Sequence, residues 1–385
     1  MNIAYFINSL SNAAGMERII TDKANALSRR PGVKVFIVCM MASEKDTPAY
    51  ELAPEITLIS LGLTFDPGTT DIRRNPIRFV SKWLGWRRRV RSSVDHIIDS
   101  NSIDIAILST YDAALPSGSR RCPHILESHA FRNRTIQMSA MPIMRKYLTS
   151  RHVRKADVLV ALTEADAALW PEARRVEVIG NFTNIRPAAP YDPDTKRIMA
   201  AGRLDPQKGF DILVDAWRTV ARSHPDWALD IYGPSDTTGR IHADLQSRIN
   251  EAGLSHSITL CGVCRDMARA YSEHSAFVLS SRFEGFGLVL LEAMACGVPC
   301  VSFDCPHGPS EIITDGSDGL LVPFRGLSDS TRAEALAESL CRMIESRDMR
   351  LAMSDAAVKK AATFSRDAII DRWIELFRSI IDKNA

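Results

Sequence analysis

Short apolar runs rich in β-branched residues, each followed by a polar or helical segment, recur from one end of the chain to the other. This alternation limits the fold more than any other feature. In the first half the runs are NIAYFI (2–7), VKVFIVC (33–39), ITLISL (56–61), IDIAILS (103–109), HILES (124–128), ADVLVAL (156–162) and VEVIG (176–180). In the second they are RIMAAG (197–202), ALDIYG (228–233), SITLCG (257–262), AFVLSS (276–281), PCVSF (299–303) and GLLVP (319–323). Strand-length runs separated by helix-length segments argue for parallel sheets covered by helices.

The pattern is interrupted once, at the proline-rich RPAAPYDPD (186–194), which suits neither a helix interior nor a central strand. With 385 residues the chain can hold two domains of about 150–200 residues each. The expected division is an N-terminal domain over 1–185, a linker over 186–195 and a C-terminal domain over 196–364. A last segment, 365–385, carries helix-period apolar residues at Ile369, Ile370, Trp373, Leu376, Phe377 and Ile380 and is expected to pack, possibly back on the N-terminal domain. The fold class is α/β: two doubly wound Rossmann-like domains facing a cleft, where such sheets take ligands at the carboxyl ends of their strands.

The N-terminus lacks the basic and long apolar regions of a signal peptide, and no run approaches the roughly 18–20 apolar residues of a membrane span. A cytoplasmic protein is expected, its eight cysteines reduced. Cys261 and Cys264 have metal or redox spacing but lack a second pair at zinc-finger distance. Charge is uneven. Residues 1–190 hold 26 Lys and Arg against 18 Asp and Glu, the remainder 22 against 28, so the basic half points to an anionic partner. RFVSKWLGWRRRVRSSV (78–94) concentrates the effect: on a helix it fits an anionic membrane surface with Trp83 and Trp86 at headgroup depth, or a solvated basic helix with the tryptophans in the core. No nucleic-acid recognition motif accompanies the charge.

The segment SRFEGFGLVLLEAMACG (281–297) reads as a loop leaving a strand and entering a helix from about Gly287 to Ala295. Gly285 and Gly287 let the backbone approach a ligand, and a helix N-terminus offers unpaired N–H groups to an anion. Two carboxylates, Glu284 and Glu292, would repel that anion unless aimed at neutral hydroxyls, whose protons they accept. A sugar nucleotide supplies both: vicinal hydroxyls at its ends and a pyrophosphate between. In AAGRLDPQKGF (200–210) Arg203 and Lys208 follow a strand's end, where they can neutralise a diphosphate. YFINSLSNAAGMERII (5–20) is a strand, a loop with Gly15 and a helix, able to bring amides to the same ligand. There is no G-x-G-x-x-G fingerprint and no G-x-x-x-x-G-K-[ST] loop.

Gly15-Met-Glu-Arg18, Gly202-Arg203 with Lys208-Gly209, Glu284-x7-Glu292 and GPSEIITDGSDGLLV (308–322) together resemble family four of the retaining glycosyltransferases with the GT-B fold. The resemblance spans nearly the whole chain and is strongest over 197–323. It implies that Arg203 and Lys208 hold the donor diphosphate, Glu284 the sugar hydroxyls and Glu292 the ribose. Gly285, Phe286, Gly287 and Leu288 would give amides to phosphate and sugar, and backbone near Val263 would meet the base. His129 falls where many members place a histidine lining the donor-sugar site; a hydrogen-bonded loop histidine is the other reading. The family's paired glycines before x-E-R are here Ala14-Gly15.

The resulting expectation is retaining transfer of a hexosyl unit, without cofactor or metal, from a nucleotide sugar (UDP-hexose or UDP-N-acetylhexosamine) to a saccharide hydroxyl. The acceptor is expected to be lipid-linked, in cell-surface polysaccharide or lipopolysaccharide synthesis, with the enzyme peripheral on the cytoplasmic membrane face. A soluble sugar acceptor, or a non-catalytic sugar-nucleotide-binding scaffold on the same fold, are the alternatives. Asp192-Pro-Asp194 has the D-x-D spacing of metal-using transferases, but its linker position reads as a turn.

Overall fold

A computed structural model describes residues 1–12, 15–43, 45–65, 76–109, 122–129, 142–236 and 238–384; Ala14 lies outside them. The chain forms two compact units, 1–179 with 369–385, and 180–368.

In the first unit the elements run β1 (Asn2–Ile7), α1 (Gly15–Ser28), β2 (Lys34–Cys39), β3 (Thr57–Ser60), α2 (Pro76–Ser100), β4 (Ile105–Leu108), β5 (His124–Glu127), α3 (Pro142–Val153), β6 (Val158–Ala161), α4 (Glu164–Ala167) and β7 (Val176–Val178). The strands form one parallel sheet in the order β3-β2-β1-β4-β5-β6-β7. β1 sits at its centre, with Ala4 in register between Phe36 and Ala106. Buried on both faces, β1 reads as an unbroken apolar run, as a central parallel strand must.

The second unit continues with β8 (Arg197–Ala201), α5 (Phe210–Ser223), β9 (Ala228–Tyr232), α6 (Arg240–Glu251), β10 (Ile258–Gly262), α7 (Met267–Ser272), β11 (Ala276–Leu279), α8 (Leu288–Ala295), β12 (Cys300–Phe303), α9 (Pro309–Ile312), β13 (Gly319–Val322), α10 (Asp329–Glu345) and α11 (Arg347–Ala362). Its sheet, also parallel, has the order β10-β9-β8-β11-β12-β13. Each expected run is a strand, and each sheet reverses its strand order once, between β1 and β4 and between β8 and β11. Ligands enter such sheets outside the carboxyl ends at that reversal. The last helix, α12 (Arg366–Asn384), joins the first unit from Ile369. Ile369, Ile370, Trp373, Leu376, Phe377 and Ile380 are all buried.

The division falls a few residues away from the expected one, for a packing reason. Gly180 lies so close to the Phe286 ring that a Cβ there would stand 2.9 Å from it, and Phe182 is fully buried; both belong to the second unit. The proline-rich stretch is tied to that unit as well. Arg350 donates to the Pro193 carbonyl through Nε and Nη2 at 3.1 and 2.9 Å, and the Tyr191 hydroxyl donates to the Ser275 carbonyl at 2.7 Å. Asp192 and Asp194 make a turn, the Asp194 N–H donating to Asp192 Oδ1 at 2.9 Å, while Arg347 takes the Asp194 carboxylate.

Helix α2 decides, for Trp86, between the two readings of its segment. Trp86 is buried in the first unit's core beside Val90, Val94 and Phe6, its Nε1 donating to the Leu63 carbonyl at 2.8 Å. It cannot also reach lipid headgroups. Trp83 is half-buried with the Arg87 guanidinium 4.7 Å from its ring centre.

Candidate donor site

In the second unit Arg203 and Lys208 follow the carboxyl end of β8, and Glu284, Gly285, Phe286, Gly287 and Leu288 follow that of the neighbouring strand β11. After β8 the chain turns at Gly202. Asp205 caps a short 3-10 turn over Pro206–Lys208 by accepting from the Gln207 N–H at 2.8 Å, a cap-then-proline start. The stem of Lys208 folds back over Gly202, where a Cβ would lie 2.8 Å from the Lys208 Cε. Glycine at 202 therefore makes room for the lysine. Two bonds sew this turn to the loop after β11: the Arg282 N–H donates to the Gln207 carbonyl at 2.7 Å and Gln207 Nε2 to the Phe283 carbonyl at 2.9 Å.

The consequence is a polar cluster. Lys208 Nζ donates to Glu284 Oε1 at 2.7 Å, and the Ser281 hydroxyl donates to the same oxygen at 2.6 Å. The side chains of Lys208 and Glu284 keep 15% and 9% of their surface. An ammonium has three protons and a carboxylate two oxygens, so each partner retains capacity for a ligand. Arg203 is exposed just past β8 and has no ion-pair partner among the described residues.

Helix α8 begins beside this pair, with Gly287 as its N-cap in the left-handed region at φ 93°. Among the described residues no acceptor takes the N–H groups of Gly285, Phe286, Gly287 or Leu288. Successive free N–H groups at a helix start form an anion cradle. The Phe286 side chain faces inward, edge-on to Phe364 at 5.7 Å, so only its backbone is available. Glu292, one turn into α8, is 2% exposed and accepts from the Tyr271 hydroxyl at 3.2 Å. Burial, and next the Glu292 carboxylate, hold the Tyr271 phenol well above its usual range, so it remains a donor. Glu292 is thus oriented from within the core, and Val263, after β10, is 69% exposed.

Sequence reasoning passed over two neighbours of Glu284. Ser281 was not singled out from the sequence. The loop after β12 crosses Glu284: the Glu284 N–H donates to the Pro306 carbonyl at 3.2 Å, and a Cβ on Gly308 would lie 2.6 Å from the Phe286 carbonyl oxygen. Between them His307 has φ 79°, strained for a residue with a side chain. A His-Gly pair just past a buried strand is the signal that would have drawn attention to it.

In the first unit Gly15 opens α1 and is exposed, with nothing within 4 Å of where a Cβ would stand. His129 follows β5 and is nearly buried, its Nε2 3.4 Å from Glu127 Oε2. Burial, then the Lys23 ammonium, push its imidazole well below the ordinary range, with Glu17 opposing. Glu127 also accepts from Lys23 Nζ; neither residue was singled out from the sequence.

Residues 195–346 match the family Glycosyl transferases group 1. Over 375 residues the chain is 25% identical to an uncharacterized glycosyltransferase of Haemophilus influenzae, covering 96% of this chain and 98% of the relative. It is 29% identical over 231 residues to the amylovoran biosynthesis glycosyltransferase AmsD of Erwinia amylovora, covering 57% of this chain and 62% of AmsD. Sucrose-phosphate synthase from Thermosynechococcus elongatus has the same fold, with a TM-score of 0.80 at 20% identity over 99% of each chain. So does HepE of Anabaena in complex with UDP and glucose, with a TM-score of 0.74 at 18% identity over 98% of this chain and 100% of HepE. The architecture is therefore GT-B: two Rossmann-like α/β domains.

Proposed function

We propose that the protein is a retaining glycosyltransferase of family four that moves a hexosyl unit from a UDP-sugar to a saccharide hydroxyl in cell-surface polysaccharide or lipopolysaccharide synthesis. The observation that carries this reading is the Lys208–Glu284 pair set beside the free N–H groups at the start of α8. One arrangement offers a cation and amides to a diphosphate and a carboxylate to sugar hydroxyls. The polysaccharide setting is supported by the likeness to AmsD, the donor by the likeness to HepE.

In the proposed reaction the bond between the anomeric carbon and the diphosphate oxygen breaks, and a bond from the same face to the acceptor oxygen forms. The acceptor's proton passes to a phosphate oxygen of the leaving group. Arg203, Lys208 and the α8 amides stabilise the charge that develops on the diphosphate, taking the place of a metal ion, as preorganised electrostatics. In the second unit Glu284 is proposed to hold the sugar, Glu292 the ribose and backbone near Val263 the base; in the first, His129 and backbone near Gly15 are proposed as ligand contacts.

The test is donor binding and slow hydrolysis in EDTA, using UDP-glucose, UDP-galactose, their N-acetyl forms and GDP-mannose. Turnover of one donor that disappears in Glu284→Ala and Arg203→Ala supports the reading. Binding of that donor with turnover unchanged in both variants removes these residues from the mechanism, and a strict metal requirement removes the metal-free step.

For the acceptor we propose a lipid-linked saccharide reached at an anionic membrane surface. Among the described residues no helix is long and apolar enough to cross a membrane. Ile77, Val80 and Leu84 are exposed at 84%, 43% and 45%. They recur at helical spacing on one face of α2, with exposed Arg88 and Arg91 further along. That stripe, rather than the tryptophans, would meet the lipid. Co-sedimentation with liposomes containing anionic lipid, lost in Leu84→Asp and in Arg88→Ala/Arg91→Ala, supports it; equal binding to neutral liposomes, or none by the parent protein, ends it.

A further inference from the structure

Lys23 lies inside α1 and is 1% exposed. Its Nζ donates to Glu127 Oε1, at the end of β5, and stands 5.0 Å from the ring centre of Trp373 in α12. Glu127 is equally buried. Its second oxygen, Oε2, faces His129 Nε2 at 3.4 Å, and among the described residues neither atom has a hydrogen-bond partner. As a device for joining α1 to β5 this is a poor choice: apolar residues of similar volume usually join helices to sheets as well or better, because two charges must be stripped of water. The pair is better understood through the third group it touches.

A carboxylate only accepts. Facing an imidazole nitrogen, it draws the ring proton to that nitrogen and leaves the other with its lone pair. We propose that Glu127, anchored by Lys23, is a positioning residue for His129, holding the ring proton on Nε2 so that Nδ1 is kept as an acceptor for a ligand hydroxyl. The charged groups acting on His129 are Lys23 and Glu17 from α1 and Glu127 from β5. Their balance, with burial, keeps the ring singly protonated at neutral pH, the state in which the choice of tautomer has meaning. The last step, from acceptor nitrogen to ligand hydroxyl, rests on the donor-site reading given above; the tautomer does not.

The experiment is nuclear magnetic resonance of protein labelled with 15N-histidine, with His129→Asn assigning the ring. In the parent protein the proton is expected on Nε2, with its resonance far downfield and protected from exchange. In Lys23→Met/Glu127→Leu, where both buried charges go together and the fold is kept, the protected signal is expected to be lost. A proton on Nδ1 in the parent protein overturns the proposal by itself, whether or not the variant folds. An unchanged, protected Nε2–H signal in the folded variant does so equally. Loss of the signal upholds the positioning role even where no sugar nucleotide binds, an outcome that counts against the transferase reading alone. Donor binding together with an unchanged signal counts against the positioning alone.

Discussion

Each unit closes a Lys–Glu pair across the carboxyl end of its sheet, and the two pairs differ in their contact with water. Lys208 and Glu284 keep 15% and 9% of their side-chain surface, whereas Lys23 and Glu127 keep 1% and 0%. The open pair bridges two loops after neighbouring strands and shares its carboxylate with Ser281. The sealed pair bridges a helix and a strand beneath Trp373. A partly hydrated pair separates at small cost and can trade its partner for a ligand; a sealed one cannot, because each charge left alone would be stranded in a low dielectric. On the readings proposed above, the same two residue types serve binding in one place and orientation in the other.

The comparison predicts that damage to the sealed pair is read in stability and damage to the open pair in activity. Lys23→Met alone strands Glu127, and urea denaturation should show a loss of about 3–5 kcal/mol, with most of it recovered in Lys23→Met/Glu127→Leu. A double variant as unstable as the single one would break the distinction. Glu284→Ala is expected to lower turnover of the cognate donor by roughly 10²–10³-fold, the scale of a lost transition-state contact. Its unfolding free energy should fall by less than that of Lys23→Met, because Lys208 and Glu284 keep some contact with water and Lys23 and Glu127 keep almost none.

Smaller effects sharpen the picture around the open pair. Gly308→Ala drives a methyl toward the Phe286 carbonyl oxygen, and overpacking of this kind costs about 1–3 kcal/mol. Donor affinity, followed by titration calorimetry, should fall with it, since the same loop crosses Glu284. The smallest expected effect is pH-dependent. Arg282 donates to Asp211 at 2.8 and 2.7 Å and to Asp329 at 2.8 Å, fastening the Gln207 and Phe283 loops. Burial raises the Asp211 carboxyl, but the Arg282 hydrogen bonds and charge prevail and hold it below the usual range. A carboxyl depressed in the folded state stabilises at pH above its unfolded value, roughly 3.9, and that contribution is lost as pH falls through the folded value. Asp211→Asn should therefore be less stable than the parent at pH 7, and the gap should close as pH falls below the usual carboxylate range. A gap independent of pH would assign Arg282 a packing role instead.

Much of this was legible before any coordinate. Each strand of both sheets was announced by its own β-branched run, and the start of α8 by Gly287. The cap and proline at Asp205 and Pro206 likewise marked the turn that carries Lys208. These signals are local, because strand propensity, helix caps and turn chemistry act over a few residues. The boundary at Gly180 was not legible, since it depends on Phe286 and Phe364 far along the chain. For Trp86 the sequence left a membrane surface and the core both open, and the choice fell to a bond from its indole to Leu63, outside the helix. Glu127 read as part of a strand and Lys23 as part of a helix, and nothing in either segment declares a partner 104 residues away.

The sequence alone thus determined the architecture and the chemical inventory: two parallel-sheet domains, a glycine-framed helix start, two cations and a glutamate past strand ends, and a second glutamate inside the helix. Tertiary structure decided what each charge does. Parallel strands joined by long crossovers bring together carboxyl ends that are distant in the chain, and there burial separates a Lys–Glu pair that water can open from one that it cannot.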